Sequence, residues 1–188
     1  MKQIIVVDST YRAGGNCACI ADKLAAEIPD AQVEVFRLKE KTVKPCLGCD
    51  VCKKKETPGC VQKDDMGALV ERIDRCDGLV IAAPIYFNGI CGQAKTFIDR
   101  LYCFYNPARP GASAATKRGK KGALVCTCGG GPVDVYTAHA EGLAGALGIM
   151  GADETKALVL GGIFPAGSVR ENPEYQQQLS DLAQWLGA

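Results

Sequence analysis

The chain has 188 residues, 47% of them hydrophobic, with 22 Lys+Arg against 21 Asp+Glu. That length and balance fit one domain with a real core, exclude wholesale disorder, and leave no global basic field for nucleic acid. No apolar run approaches the ~18–20 residues of a membrane span. The opening MKQIIVVDST is too short in apolar residues for a signal peptide, so a cytoplasmic location is expected. Eleven cysteines beside one histidine, His139, point to a reducing compartment. Any metal site would have to be rich in thiolates.

In chain order, residues 3–8 form a short apolar run that predicts a buried strand, followed by a polar, Gly-containing loop at 9–16. Helical spacing follows over 17–28, closed by Pro29, and alternation over 32–38 predicts a second strand. Residues 39–63 hold four cysteines, seven lysines and two prolines with little periodicity, and read as a long functional loop. A helix is expected over 64–75, a strand over 78–83 ended by Pro84, and a helix over 93–104. Residues 105–121 carry five basic residues and no acidic ones, in a loop. Residues 123–127 then read as a strand, 134–150 as a helix, 156–160 as a strand and 173–187 as a closing helix.

Strands alternating with helices imply an α/β fold with a parallel sheet and right-handed crossovers. We expect a single domain over 1–188 with a doubly wound five-stranded sheet of order 2-1-3-4-5. The loops at 9–16, 84–92 and 127–132 each follow a strand, so they gather at one sheet edge, where such folds bind ligands. The first offers Thr10, Arg12, Gly15, Asn16 and Cys17 before a helix N-terminus, a phosphate-binding arrangement. The second, Pro84, Ile85, Tyr86, Phe87 and Asn88, puts aromatics where a planar ring would stack. The third, Thr127, Cys128, Gly129 and Gly130, lets backbone approach a flat ligand. Neither G-x-G-x-x-G nor a Walker A motif is present.

Thr10-x-Arg12-x-x-Gly15-Asn16 resembles the S-x-R-x-x-G-N-[TS] phosphate loop of NADPH-dependent FMN reductases in the flavodoxin-like superfamily. Ala83 to Phe87 and Gly92 to Arg100 are similar to that family's T-P-V-Y-F…G-Q-L-K-x-F-I-D-R segment. Cys17 stands where the family usually has Ser or Thr, Thr10 replaces a usual Ser, and Ser9 a usual Gly. The resemblance implies a flavodoxin-like fold and FMN. The phosphate would sit at Thr10–Cys17 and the ring between residues 84–89 and 127–131. FMN is favoured over FAD because no second loop suits an adenylate. NAD(P)H is implied as a possible substrate, and a homodimer or homotetramer as the assembly.

Cys46-x2-Cys49-x2-Cys52-x7-Cys60 is the sharpest chemical feature. Thiolates at this compact spacing ligate iron–sulfur clusters, whereas zinc favours two separated knuckles. Residues 37–63 carry eight basic and three acidic residues, a charge of +5 that would offset a cluster's negative charge. The pattern resembles the motif of the iron–sulfur flavoproteins, which carry a 4Fe–4S cluster beside FMN. In that branch the cluster of one subunit approaches the flavin of a neighbour. Cluster-free reductases of the family keep a similar P-C-x-G-C-x-x-C loop, so both readings stand.

Three functions follow as expectations. The first is an iron–sulfur flavoprotein passing electrons between a redox partner and FMN. The second is an NAD(P)H-dependent FMN or quinone reductase without a cluster. The third is a non-catalytic flavodoxin-type carrier or a thiol metal-binding module. The basic run Arg109, Lys117, Arg118, Lys120 and Lys121 is read as a solvated loop rather than a nicotinamide phosphate site.

Overall fold

The structure is a computed structural model that describes residues 1–188. Six strands are formed: β1 (Lys2–Asp8), β2 (Ala31–Arg37), β3 (Gly78–Tyr86), β4 (Gly89–Ile90), β5 (Lys120–Thr127) and β6 (Ala152–Leu160). Five helices accompany them: α1 (Asn16–Glu27), α2 (Asp65–Arg75), α3 (Gly92–Arg100), α4 (Val133–Ala146) and α5 (Pro173–Gly187). The order β2-β1-β3-β5-β6 is parallel throughout. It is the expected 2-1-3-4-5 sheet, with the two-residue β4 added outside the path.

Strict alternation along the central strands divides the core. Ile4 and Val6 of β1, Val80 and Ala82 of β3, and Ala123 and Val125 of β5 pack toward α1 and α5. The intervening Ile5, Val7, Leu79, Ile81, Leu124 and Cys126 pack toward α2, α3 and α4. A parallel strand buried on both faces needs apolar residues at every position, which these runs supply. The seven cysteines outside the 46–60 loop are all buried, as expected of small apolar side chains.

Three boundaries differ from the sequence reading. First, Pro84 does not end β3, which continues to Tyr86 and folds back on β4, pairing Ile85 with Ile90 and Tyr86 with Gly89. Pro84 offers only its carbonyl, which accepts from Cys91 N at 2.9 Å, so its missing N–H is not needed there. The turn residues Phe87 and Asn88 both have positive φ, 48° and 64°, as a two-residue hairpin turn requires. Second, β6 begins at Ala152, four residues before the expected start at 156. Residues 153–156 are exposed on a sheet edge, where charged side chains are tolerated and hide the strand from a hydrophobicity reading. Third, α3 and α4 each end early and tighten into a 3-10 turn, at 101–104 and 147–150.

The basic run is committed elsewhere. Lys120 is buried in β5 and donates to Met150 O at 2.6 Å, Lys121 to Trp185 O at 2.6 Å, and Lys117 to Asp77 at 2.7 Å. It borders the start of β5, opposite the strand ends that carry the three loops.

Candidate functional site

The loops after β1, β3 and β5 converge on one groove. Thr10, Arg12, Gly15, Asn16 and Cys17 line it together with Pro84, Ile85 and Tyr86 and with Thr127, Cys128 and Gly129. Three of the expected residues stand apart. Phe87 is fully exposed at the hairpin tip. Asn88 faces away and accepts a hydrogen bond from the Tyr136 hydroxyl at 2.8 Å. Gly130 is outside the lining, and a Cβ there would meet nothing.

The floor of the groove is built by hydrogen bonds at the end of β1. Asp8 is buried, accepts from Thr10 N at 3.0 Å and pairs with Arg37 at 3.1 Å. Burial pushes the Asp8 carboxyl up, against the pull of those two donors. Ser9 Oγ donates to Ala82 O at 2.6 Å, tying the loop to β3. Thr10 Oγ1 accepts from Arg12 N at 3.3 Å, and Gly15 closes the turn so tightly that a Cβ would stand 2.9 Å from Thr10 Oγ1. Helix α1 then starts at a Gly15 N-cap with no side-chain cap and no acidic residue in its first turn. Its leading amides are therefore left for an outside acceptor, at the positive end of the helix dipole. Arg12 is the only charged side chain in the lining. The groove thus suits an anion.

Asn16 has a different job from the one expected. Its Nδ2 donates to the carbonyls of Ile163 and Pro165, at 2.9 and 3.0 Å, and its Oδ1 accepts from Val169 N at 3.1 Å. Arg12 likewise donates to Phe164 O at 2.8 Å, with its guanidinium 5.9 Å from the Phe164 ring centre. Both side chains hold a fourth loop, after β6, which adds Ile163 and Phe164 to the groove. This loop is not among the three expected from the sequence. Its signal was Gly161-Gly162 directly after a strand, at the same edge as the other three. Opposite it, Gly129 lies so close to Phe164 that a Cβ would stand 2.9 Å from the ring.

Two thiols border the groove. Cys17 Sγ and Thr127 Oγ1 are 3.3 Å apart, and burial pushes the Cys17 thiol well above its ordinary range. Burial also pushes Cys128 up. Both are therefore neutral thiols at pH 7. A larger cavity, about 370 Å³, lies behind the hairpin between Ile90, Tyr136, His139 and Leu143. Its lining includes none of the first three residues of any helix, whereas Asn16 and Cys17 bring the start of α1 to the groove, so the groove is the better cofactor candidate.

The cysteine loop leaves the groove edge. Arg37 ends β2 there, but Lys53 Nζ donates to Tyr102 O and Tyr105 O, both at 2.6 Å, beyond the end of α3. Arg109 donates to Glu56 O at 3.2 Å. Cys46 lies in a cleft beside Tyr102 and Leu147, at the ends of helices that begin at the groove edge. The loop therefore begins at the groove edge after β2, but its cysteines do not stay there. These anchors carry it across the outer helical face, and none of Cys46, Cys49, Cys52 and Cys60 lines the groove. All four are free thiols, Cys46 and Cys49 exposed, Cys52 and Cys60 half-buried. No three of them come close enough to hold a single metal ion.

A family model described as NADPH-dependent FMN reductase matches residues 1–154. The chain belongs to that family. An iron–sulfur flavoprotein from Archaeoglobus fulgidus is 30% identical over 132 residues, covering 69% of this chain and 56% of that protein. The iron–sulfur flavoprotein MJ1083 of Methanocaldococcus jannaschii is 28% identical over 131 residues, covering 69% and 65%. The chain thus spans less than two thirds of the length of these curated relatives. Among solved structures, the apo form of an NADH:FMN oxidoreductase (EMOB) superposes with a TM-score of 0.65 at 18% identity, covering 97% of this chain and 87% of that one. Flavodoxin 1 from Bacillus cereus gives 0.60 at 16% identity, covering 97% and 95%. These superpositions establish a flavodoxin-like fold for this FMN reductase family member. No helix is long and apolar enough to cross a membrane.

Proposed function

We propose that this FMN reductase family member is an FMN-dependent oxidoreductase of the iron–sulfur flavoprotein kind. The observation that carries the flavin site is the uncapped start of α1 facing a groove built from four strand-end loops. The residues fit the cofactor: Gly15 and Gly129 each remove a Cβ that would crowd the cradle, and Arg12 supplies the positive charge. Bound FMN would supply the exchange of one or two electrons. Around it, the α1 amides, Thr10 and Arg12 bind the phosphate. Pro84 to Tyr86 and Thr127 to Gly129 bound the ring, and Cys17 and Thr127 present weak neutral hydrogen-bonding groups instead of a charge.

For the cluster, the donor set supports the reading. Four free thiols share one loop that no disulfide constrains. In a cube of iron and sulfide each thiolate binds a different iron, so the ligands stand farther apart than those of one ion. Arg100, whose guanidinium neighbours Cys60, also has a buried Nε–H that lacks an acceptor. A cluster would supply single electrons, suiting a one-electron redox partner protein. The names of the relatives support this reading, and the family description favours a second one: an NAD(P)H-dependent FMN or quinone reductase without a cluster.

FMN titration of the purified protein tests the first part. We expect saturable binding that Arg12→Ala weakens, and failure to bind FMN overturns it. Iron and sulfide analysis with low-temperature EPR on anaerobic protein tests the second, with Cys49→Ala and Cys52→Ala as controls. Fewer than about two irons per chain, unaffected by those substitutions, overturns the cluster and leaves the reductase. NAD(P)H turnover then separates that reductase from a passive carrier.

A further inference from the structure

Arg100, the last residue of α3, heads the large side chains that are fully buried. Its Nη1 donates to Asp64 Oδ2 at 2.6 Å and to Lys44 O at 2.7 Å, and its Nη2 to Asp64 Oδ1 at 2.9 Å. Both side chains of the pair are 1% exposed. Asp64 is also the N-cap of α2, accepting from Gly67 N at 2.9 Å, and it accepts from Lys44 N at 3.0 Å. The pair therefore clamps the two ends of the cysteine loop, at Lys44 and Asp64, to α3.

Three of the five guanidinium N–H groups are thus used, leaving Nε–H and the second N–H of Nη2. Arg100 Nε is the one buried side-chain nitrogen or oxygen in the protein without a hydrogen-bond partner. Such an orphan on a charged group is costly and asks for an explanation. The sulfur of Cys60 lies beside this guanidinium. Gln62 N approaches the same sulfur from the chain side, at 3.5 Å. A neutral thiol is a weak acceptor, and it leaves Arg100 Nε unsatisfied. An iron-bound thiolate is a charged acceptor and a much stronger one.

We propose that Arg100 is a positioning residue for the cluster, donating Nε–H to Cys60 Sγ once that sulfur is an iron-bound thiolate. The inference rests on the cluster reading above. On ligation the Cys60 S–H bond breaks, its proton passes to water and an Fe–S bond forms. The orphaned donor then gains its acceptor, and Gln62 N supplies a second. Two N–H···S contacts fix the orientation of the fourth ligand and withdraw charge from the cluster, which raises its reduction potential. The Asp64 pair holds the guanidinium in place, and Asp64 and Lys44 O together occupy three of its other N–H groups.

The test uses full-length protein reconstituted anaerobically with ferrous iron and sulfide. Arg100→Lys keeps a positive charge against Asp64 but removes the Nε donor. We expect it to fold and to bind FMN as the wild type does, to release iron to a chelator about 10–100-fold faster, and to have a lower cluster potential. If that variant does not fold, the Asp64→Asn/Arg100→Gln double variant removes both buried charges together and is read in the same way. The wild type provides a reading that needs no substitution. With 15N-labelled arginine, pulsed EPR of the reduced cluster should detect nitrogen coupling from one arginine. A cluster whose potential and iron release are unchanged in the variant, or which shows no arginine coupling, overturns the role of Arg100 alone. A wild type that takes up no iron and sulfide overturns the cluster reading, and this inference with it.

Discussion

At the scale of single residues, Arg12 and Asn16 look alike in the sequence and act differently in the structure. Both anchor the 163–169 loop, but only Arg12 brings charge to the groove. Arg12→Ala should therefore weaken FMN about tenfold or more, since charge-assisted contacts to an anion are the strong ones. Asn16→Ala should loosen Phe164 and lower thermal stability as well, by about 1–3 kcal/mol, because the buried Ile163 carbonyl and the buried Val169 amide lose their partners. Flavin fluorescence titration and thermal unfolding separate the two, and equal effects on both readouts would contradict the division. Asp64 carries a pH signature. Burial would raise its pKa, but hydrogen bonds from Arg100, Lys44 N and Gly67 N outweigh that and hold it at about 2, against 3.8 for a free side chain. A carboxyl lowered in the folded state binds its proton more readily when unfolded. Its stabilisation, about 2 kcal/mol, is present above pH 4 and lost as the pH falls toward 2. Buried Asp8 acts in the opposite sense, since burial raises it. Urea midpoints measured between pH 5 and 2 should fall in the wild type, with a shallower fall in Asp64→Asn.

At the scale of elements, the β3–β4 hairpin is the informative one. Phe87 holds a φ of 48° at a fully exposed tip, a conformation unfavourable for a bulky side chain and comfortable for asparagine. Phe87→Asn should raise stability by about 0.5–1 kcal/mol, visible as a higher melting temperature. A lower one would show that the Phe87 ring has a stabilising contact outweighing the strain. The hairpin was invisible in the sequence because Pro84 reads as a terminator and β4 is only two residues long. Polar residues 153–156, three of them charged, hid the first half of β6 for a related reason: an edge strand does not need apolar residues on both faces. By contrast α5 begins and ends at the expected residues, because Asn172 caps it through Glu174 N and Tyr175 N and Pro173 occupies the first turn.

At the scale of the whole molecule, the separation of the cysteine loop from the groove shapes the functional reading. Cys46 lies by Tyr102 and Leu147, whereas the groove lies where α3 and α4 begin. Electron exchange between a cluster and a flavin is then expected to cross between subunits. We predict a dimer or tetramer by light scattering at micromolar concentration. Dilution below the dissociation range should slow reduction of FMN through the cluster and leave FMN affinity unchanged. A monomer with full cluster-to-flavin electron transfer would contradict this.

The sequence by itself determined the parallel α/β architecture, since strand and helix periods differ and the apolar runs alternate with helical stripes. It also located three of the four groove loops, because a parallel sheet delivers the loops after its strands to one edge. Only the tertiary structure decided how individual side chains are used. It turned Asn16 inward to hold Ile163 and Pro165, removed Phe87 and Asn88 from the groove, and carried the cysteine loop away from the groove edge. It also buried Arg100 against Asp64, 36 residues away, leaving Nε unpaired near Cys60. Local sequence encodes periodicity and turn chemistry, whereas the partners of a buried polar group come from distant segments whose meeting is settled only when the core packs.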